Sequence, residues 1–175
     1  DPRRTAYVER NASGTTDAAL HWGGATANAR PLFLWVHYFD AHAPYEPPAE
    51  FVARTGSAYA GEIAFVDSQI ARLTSRLESL APARTLVLVT ADHGESLGEH
   101  GESTHGVFLY DSTIRVPLVV KLPSGRAAGQ RVGSRVSLVD LAPTMMEVAG
   151  LSPPPEVQGQ SLLPLLASAH PTDRP

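Results

Sequence analysis

The sequence has no cysteine among its 175 residues, and its basic residues are thirteen arginines and a single lysine, Lys121. Without cysteine, the chain has no disulfide, thiolate metal site or cysteine nucleophile of its own. A formal net charge of −4, with no basic cluster, argues against nucleic acid as a partner. No apolar run reaches the about 20 residues of a membrane span. No signal peptide is visible, but the chain does not open on methionine, so the compartment stays undetermined.

Apolar, β-branched segments that predict strands alternate with amphipathic segments that predict helices. The predicted strands cover residues 32–39, 85–90 and 114–122, and predicted helices begin near Thr15 and cover 59–80, 137–150 and 160–167. Strand, long helix and strand in succession form a βαβ unit, which is right-handed and places its strands parallel. The sequence therefore predicts an α/β fold with a mainly parallel sheet flanked by helices. Three strands make a thin sheet for that class.

The segment that follows the second predicted strand carries most of the reactive side chains. The run Thr85–Thr90 leads to Asp92-His93-Gly94, and three histidines and four acidic residues lie between positions 92 and 105. A strand that delivers a carboxylate and an imidazole at its C-terminal end is a common way to hold a metal. Asp92 and His93 are therefore candidate ligands of a divalent cation. Two ligands are too few for a closed site, so others have to come from elsewhere.

A second loop is expected at the same edge of the sheet. The strand at 32–39 leads into the proline-rich loop Asp40–Pro48, which contains His42. Because the carboxyl ends of parallel strands face one crevice, we expect His42 and His105 to lie near Asp92 and His93. Imidazole titrates near neutral pH, so His42 and His105 are candidate proton donors or anion contacts.

Each of these residues also has a plainer interpretation. Asp-His-Gly at the end of a strand is often a turn in which the aspartate accepts a backbone hydrogen bond. His42 could be an exposed or structurally bonded histidine. His105 and His100 stand among glutamates, and such a charged run is usually a solvated loop. His37, inside an apolar segment, fits a hydrogen-bonded histidine of the core.

Five segments together resemble the sulfatases of the alkaline phosphatase superfamily, in order and in spacing. They are LFLWVHYFDAHAPYEPP, YAGEIAFVDSQIARL, TADHGESLGEHGE with HGVFLYDSTIRVPLVV, VSLVDLAPTMMEVAGL and QGQSLLPLL. Each segment alone is weakly diagnostic, but five in succession are specific, and they extend from about residue 15 to 166. The resemblance implies a partial alkaline-phosphatase-like sandwich with a mainly parallel sheet flanked by helices.

The resemblance also implies roles for individual residues. Asp92 and His93 would bind a metal, usually Ca2+ in sulfatases, and often Mn2+ or Zn2+ in relatives that cleave phosphate or phosphonate esters. His42 would contact the transferred group or protonate the leaving oxygen. His105 lies near a position where many sulfatases have a lysine that binds sulfate, so anion binding there is expected to weaken as pH rises. The implied substrate is a small-molecule or glycan sulfate ester.

Two parts of the sulfatase pattern are absent from the sequence. The family uses a formylglycine, made from the first residue of a Cys/Ser-x-Pro/Ala-x-Arg signature, and two aspartates near its N-terminus. Neither matches here, so we expect residues 1–175 to be the C-terminal portion of a single catalytic domain, inactive alone. Within the superfamily, a phosphodiester or phosphonate monoester hydrolase or a phosphoethanolamine-type transferase stays open, and the upstream nucleophile would separate them. A catalytically inactive binding or structural module is the alternative from another class.

Overall fold

A computed structural model describes residues 10–26 and 31–167 and divides the chain into two units, between Pro82 and Ala83. The first unit contains α1 (Ala12–Thr26), α2 (Ala49–Thr55) and α3 (Ala58–Leu80). The second contains β1 (Val87–Thr90), α4 (Asp111–Ile114), β2 (Leu118–Lys121), α5 (Leu141–Val148) and α6 (Leu163–Ala167), with 3-10 turns at Glu99–Gly101, Pro123–Gly125 and Leu138–Asp140. In these ranges, no helix combines the length and hydropathy needed to cross a membrane.

The long helix α3 organises the first unit, and both α1 and α2 pack against it. Its start is fixed by Ser57, whose Oγ accepts the backbone N–H of Ala60 at 3.1 Å. The rings of Phe51 and Phe65 lie 5.3 Å apart in the core of the unit. The helix predicted from about Tyr59 to Leu80 is therefore confirmed. Its buried face contains Phe65, whereas Ile63 is exposed.

The strand predicted at 32–39 is not found. Residues 31–40 have no helical or sheet hydrogen-bonding pattern, and exposure alternates along them, with Phe33 and Trp35 exposed at 69% and 84%. This alternation is the mark of an extended chain, but a strand also needs a neighbouring backbone to pair with. The described residues provide no such neighbour, so the predicted βαβ unit is wrong for this structure.

The two strands that do form belong to the second unit and run antiparallel. The register pairs Val87 with Lys121 and Thr90 with Leu118. Both strands are shorter than predicted. The second begins only at Leu118, because Ile114 ends α4 and Pro117 lies just outside the ladder, where its missing N–H costs no pairing. The expected mainly parallel sheet is therefore replaced, within the part of the chain that the structure describes, by this antiparallel pair.

Two buried polar side chains connect α5 to the segment that follows it. Asp140 is 5% exposed, and its carboxylate accepts the backbone N–H groups of Ser137 at 2.9 Å and Gln160 at 2.8 Å. The fully buried Thr144 hydroxyl donates to the Asp140 carbonyl at 2.6 Å and accepts the N–H of Leu162 at 2.8 Å. The predicted helices over 137–150 and 160–167 therefore form in shortened versions, and these bonds hold the start of the second against the first.

Replacing Thr144 tests the strength of this connection. Thr144→Val keeps the shape of the side chain but leaves the buried N–H of Leu162 without its acceptor, which costs about 1–3 kcal/mol. Thr144→Ser keeps the hydroxyl and loses one methyl group, worth about 0.8 kcal/mol. We expect urea unfolding to show a lower free energy of unfolding for the valine variant than for the serine variant. The opposite order would contradict the hydrogen-bonding role of Thr144.

Candidate active site

The turn Asp92-His93-Gly94 follows β1 and is fixed through its glycine. The backbone N–H of Gly94 donates to the carbonyl of Thr113 at 2.7 Å. A Cβ atom at position 94 would overlap the carbonyl oxygen of Ser112, so only glycine lets the turn approach α4 this closely. Sequence patterns did not identify this contact, because the sequence shows a glycine but not the helix that it packs against.

Asp92 and His93 present one oxygen and one nitrogen donor close together. Asp92 Oδ1 accepts the backbone N–H of His93 at 3.0 Å and lies 3.8 Å from His93 Nε2. The two side chains are 73% and 43% exposed. Ligands bind a divalent cation at about 2.0–2.6 Å, so this separation lets both donors contact one ion.

The tautomer of His93 suits a metal ligand. Its Nδ1 lies 2.9 Å from the carbonyl oxygen of Gly94. A carbonyl oxygen can only accept, so this hydrogen bond requires the proton on Nδ1 and leaves a lone pair on Nε2 of the neutral ring. Metal-binding histidines are commonly oriented by this kind of bond to a backbone carbonyl. The residues present therefore fit a divalent cation as part of its shell.

The structure supplies two such donors and not a complete set. Across residues 10–26 and 31–167, no group of three or more histidine, aspartate or glutamate side chains is arranged to hold a metal. The donor chemistry is mixed, since carboxylate oxygen suits Ca2+ and Mn2+ while imidazole nitrogen suits Zn2+ and other transition metals. Asp92 and His93 can thus hold a cation only together with ligands from elsewhere.

The structure brings His105 next to His93. The two ring centroids lie 4.0 Å apart, with the planes inclined by 31°. His105 Nδ1 is 3.2 Å from Glu95 Oε1, and the two side chains are 23% and 5% exposed. His105 is therefore part of a packed cluster with Asp92, His93 and Glu95, rather than a solvated member of an acidic loop.

A folded loop returns the chain from Glu95 to His105. Gly98 N–H donates to the carbonyl of Glu102 at 2.8 Å, and Glu102 Oε1 accepts the backbone N–H of Phe108 at 3.1 Å. His100, with a φ of 57°, stacks on Tyr110 at 4.1 Å between centroids. Sequence patterns missed Glu102 because its partner is a backbone group six residues later. The signal that could have found it is an acidic residue inside a glycine-rich loop.

His42 lies in the first unit, where its own loop holds it. Its ring stacks on Phe39 with 4.5 Å between centroids, and its Nδ1 is 2.8 Å from the carbonyl oxygen of Ala43. The loop begins at Asp40, whose Oδ1 accepts the N–H of Ala12 at the start of α1 at 2.9 Å. The ring and its loop are therefore anchored to a helix distant in sequence.

Tyr38, just before this loop, is held by a buried hydrogen bond. Its hydroxyl lies 2.9 Å from Thr16 Oγ1. Burial raises the pKa of Tyr38 above its ordinary value, and this outweighs the opposite effect of the Thr16 hydrogen bond. The phenol therefore stays protonated and serves to anchor the base of the loop that carries His42.

All three candidate histidines share one feature. In each, Nδ1 faces an oxygen atom that can only accept a hydrogen bond: the carbonyl oxygens of Ala43 and Gly94 for His42 and His93, and the carboxylate of Glu95 for His105. Nδ1 must then carry the proton in each ring, which assigns ligand or proton-transfer chemistry to Nε2. The Nε2 lone pair of a neutral ring can bind a cation or accept a proton, whereas only a doubly protonated ring can donate Nε2–H to an anionic oxygen.

Comparison with known proteins identifies the family. The family model described as Sulfatase matches residues 6–151. The chain belongs to the sulfatase family. The resemblance seen in the five sequence segments is thereby confirmed, and the family is one of sulfate ester hydrolases.

Two curated relatives are similar to parts of this chain. The uncharacterized sulfatase YidJ of Escherichia coli (strain K12) is 37% identical over 99 residues, which cover 57% of this chain and 20% of YidJ. The steryl-sulfatase of Mus musculus is 32% identical over 154 residues, which cover 79% of this chain and 25% of that enzyme. The chain thus spans about a fifth to a quarter of the length of these relatives.

A solved structure supports the expected fold. The candidate sulfatase yidJ of Bacteroides fragilis superimposes with a TM-score of 0.81 at 19% sequence identity, covering 93% of this chain and 42% of that one. At this identity, the likeness concerns the fold alone. The alkaline-phosphatase-like part of the fold expectation is therefore confirmed, while a mainly parallel sheet is not.

Gly94→Ala tests the packing that fixes the Asp-His-Gly turn. The added methyl group would meet the Ser112 carbonyl, and such overpacking costs about 1–3 kcal/mol. We expect a lower free energy of unfolding in urea and displaced ring resonances of His93 in NMR spectra. Gly133→Ala is the matched control, since a Cβ there has no neighbour within 4 Å. Equal behaviour of the two variants would contradict the close approach.

Proposed function

We propose that this chain forms part of the catalytic domain of a sulfate ester hydrolase, as its C-terminal portion. The observation that supports the proposal is the cluster of Asp92, His93 and His105, in which two candidate cation ligands lie beside a second imidazole. Sulfatase family membership supplies the reaction class. The chain covers only about a fifth to a quarter of these curated relatives, which fits a chain that contributes one portion of an active site.

Asp92 Oδ and His93 Nε2 are the atoms that would hold a divalent cation, with Ca2+ as the first candidate and Mn2+ or Zn2+ as alternatives. When bound, such a cation neutralises negative charge on the transferred sulfuryl group. The Gly94 carbonyl holds the His93 ring so that Nε2 faces outward for this purpose. Further ligands and the nucleophile, a formylglycine in the sulfatase pattern, would come from residues outside this chain.

The two remaining histidines would handle the ester. His105, whose ring centroid lies 4.0 Å from that of His93, would donate Nε2–H to a sulfate oxygen or to the ester oxygen when both of its ring nitrogens carry a proton. His42, with a proton on each ring nitrogen, would deliver the Nε2 proton to the leaving alcohol oxygen, because an alcohol leaves far more readily than an alkoxide. In both rings the Nδ1 contact fixes the orientation, so little reorganisation is needed when the ester binds.

Sulfate esters are favoured over phosphate or phosphonate esters by the relatives that exceed 30% identity. Among them are the steryl-sulfatase of Mus musculus and YidJ of Escherichia coli, and both are named as sulfatases. Their shared class is the sulfate ester, whether the leaving alcohol is a small molecule or a glycan. A catalytically inactive binding or structural module with this fold would not hydrolyse the ester, and the following experiments separate that alternative.

Cation binding tests the first part of the proposal. Calorimetric titration of the complete gene product with Mn2+ should show a site whose affinity falls in Asp92→Asn and in His93→Gln. Loss of an indirect partner of a bound metal lowers the metal affinity about 10–100-fold, and loss of a direct ligand should lower it at least as much. The exposed Asp67 of α3 supplies a matched control, Asp67→Asn. Equal Mn2+ affinity in all four proteins would contradict the assignment of the pair.

Turnover tests the reaction. The complete gene product should hydrolyse 4-nitrophenyl sulfate faster than 4-nitrophenyl phosphate, and His105→Ala should lower kcat/KM by about 10²–10⁴-fold, as expected for a group that assists proton transfer or charge stabilisation. The 175-residue chain alone should show no turnover, because it has no cysteine from which the nucleophile could form. Sulfate turnover by the isolated chain, or a complete product that prefers the phosphate ester, would overturn the proposal.

A further inference from the structure

Glu95 differs from Asp92, three residues before it, in that its side chain is buried. Its side chain is 5% exposed, against 73% for Asp92, and it lies 3.2 Å from His105 Nδ1. A buried carboxylate is costly unless it is paired and hydrogen-bonded. The roles given so far to Asp92, His93 and His105 do not use this carboxylate, so its burial calls for a separate explanation.

The backbone on both sides of Glu95 is fastened to α4. On one side, Gly94 N–H bonds to the carbonyl of Thr113. On the other, the fully buried Ser96 places its Oγ 2.8 Å from Ser112 Oγ. With both neighbours fixed, the Glu95 side chain leaves the backbone from a defined point. The carboxylate therefore extends from a backbone position that contacts with α4 fix on both sides.

His105 reaches this carboxylate from the far end of the loop. The Glu102 contacts with Gly98 and Phe108 close the loop and bring the His105 ring between Glu95 and His93. One edge of the ring then meets the Glu95 carboxylate, and its face packs on the His93 ring. Two contacts in different directions determine both the position and the tilt of an imidazole.

We propose that Glu95 is a positioning residue for His105, an inference that rests on the proposed function. A carboxylate oxygen accepts a hydrogen bond from Nδ1–H, which leaves Nε2 as the nitrogen that faces the sulfate ester. When both ring nitrogens carry a proton, Nε2–H can donate to an ester oxygen while the Glu95 contact is kept. Glu95 itself does not touch the ester. Its contribution is to keep His105 in one tautomer and one orientation before the ester binds, which lowers the cost of reaching the transition state.

A second polar neighbour of His105 Nδ1 offers a control. Thr104 Oγ1 lies 3.4 Å from the same nitrogen, on the exposed side. A neutral hydroxyl at that distance is a weaker partner than a carboxylate at 3.2 Å. Thr104→Val should therefore leave the ring as it is, whereas Glu95→Ala should release it.

The tautomer of His105 can be measured without any reference to activity. Ring ¹⁵N shifts, recorded at alkaline pH where imidazoles are neutral, should show the proton of His105 on Nδ1 in the parent protein and in Thr104→Val. Glu95→Gln, whose amide oxygen can still accept, should keep this tautomer, and Glu95→Ala should lose it. An unchanged tautomer in a folded Glu95→Ala protein would overturn the positioning role.

Kinetics then separate positioning from a general loss of structure. With 4-nitrophenyl sulfate and the complete gene product, Glu95→Ala should lower kcat by about 10–100-fold, the usual effect of removing a residue that orients a functional histidine. KM should change little, and Glu95→Gln should restore part of kcat. In a His105→Ala background, Glu95→Ala should have no further effect, because both changes remove the same contribution.

The two parts of the experiment fail in different ways. Additive losses in the double variant, or equal losses in Glu95→Ala and Glu95→Gln, would overturn the positioning role of Glu95. A parent protein with no sulfate turnover would instead contradict the proposed function, and the ring ¹⁵N shifts would still decide whether Glu95 sets the tautomer of His105.

Discussion

The close contact between the turn at Gly94 and helix α4 is the constraint on which the geometry of the site depends. One backbone hydrogen bond to Thr113, and the space left by a missing Cβ, place Asp92 and His93 on one side of this contact and Glu95 on the other. The exposed residues become available to a cation, and the buried one becomes a partner for His105. The close packing of the Gly94 turn on α4 thus gives neighbouring residues different chemical roles.

How far the sequence predicts this structure depends on whether the interaction is local. The helix over α3 was predicted to within about one residue because its periodicity and its breaker at Pro82 are local signals. The segment at 31–40 has the composition of a strand, but pairing is decided by a distant neighbour, and composition contains no information on that neighbour. The antiparallel pairing of β1 with β2 was missed for the same reason.

In the candidate site, too, local sequence signals predict some residues, and contacts between distant segments decide the others. Asp92 and His93 could be found from the sequence, because a carboxylate and an imidazole directly after a strand form a compact pattern. Glu95 could not be singled out, since the sequence does not show that its side chain is buried beside His105. Sequence patterns therefore name the reactive groups, whereas the residues that orient them emerge only when the packing is known.

The contact between the rings of His93 and His105 would link binding events at the two residues. With 4.0 Å between centroids, a cation held by His93 changes the electrostatic potential at His105. If the cation makes anion binding at His105 more favourable by some factor, the anion must increase the affinity for the cation by the same factor. The ester would then take part in retaining the metal, and a site with few ligands from this chain would be most complete when its substrate is present.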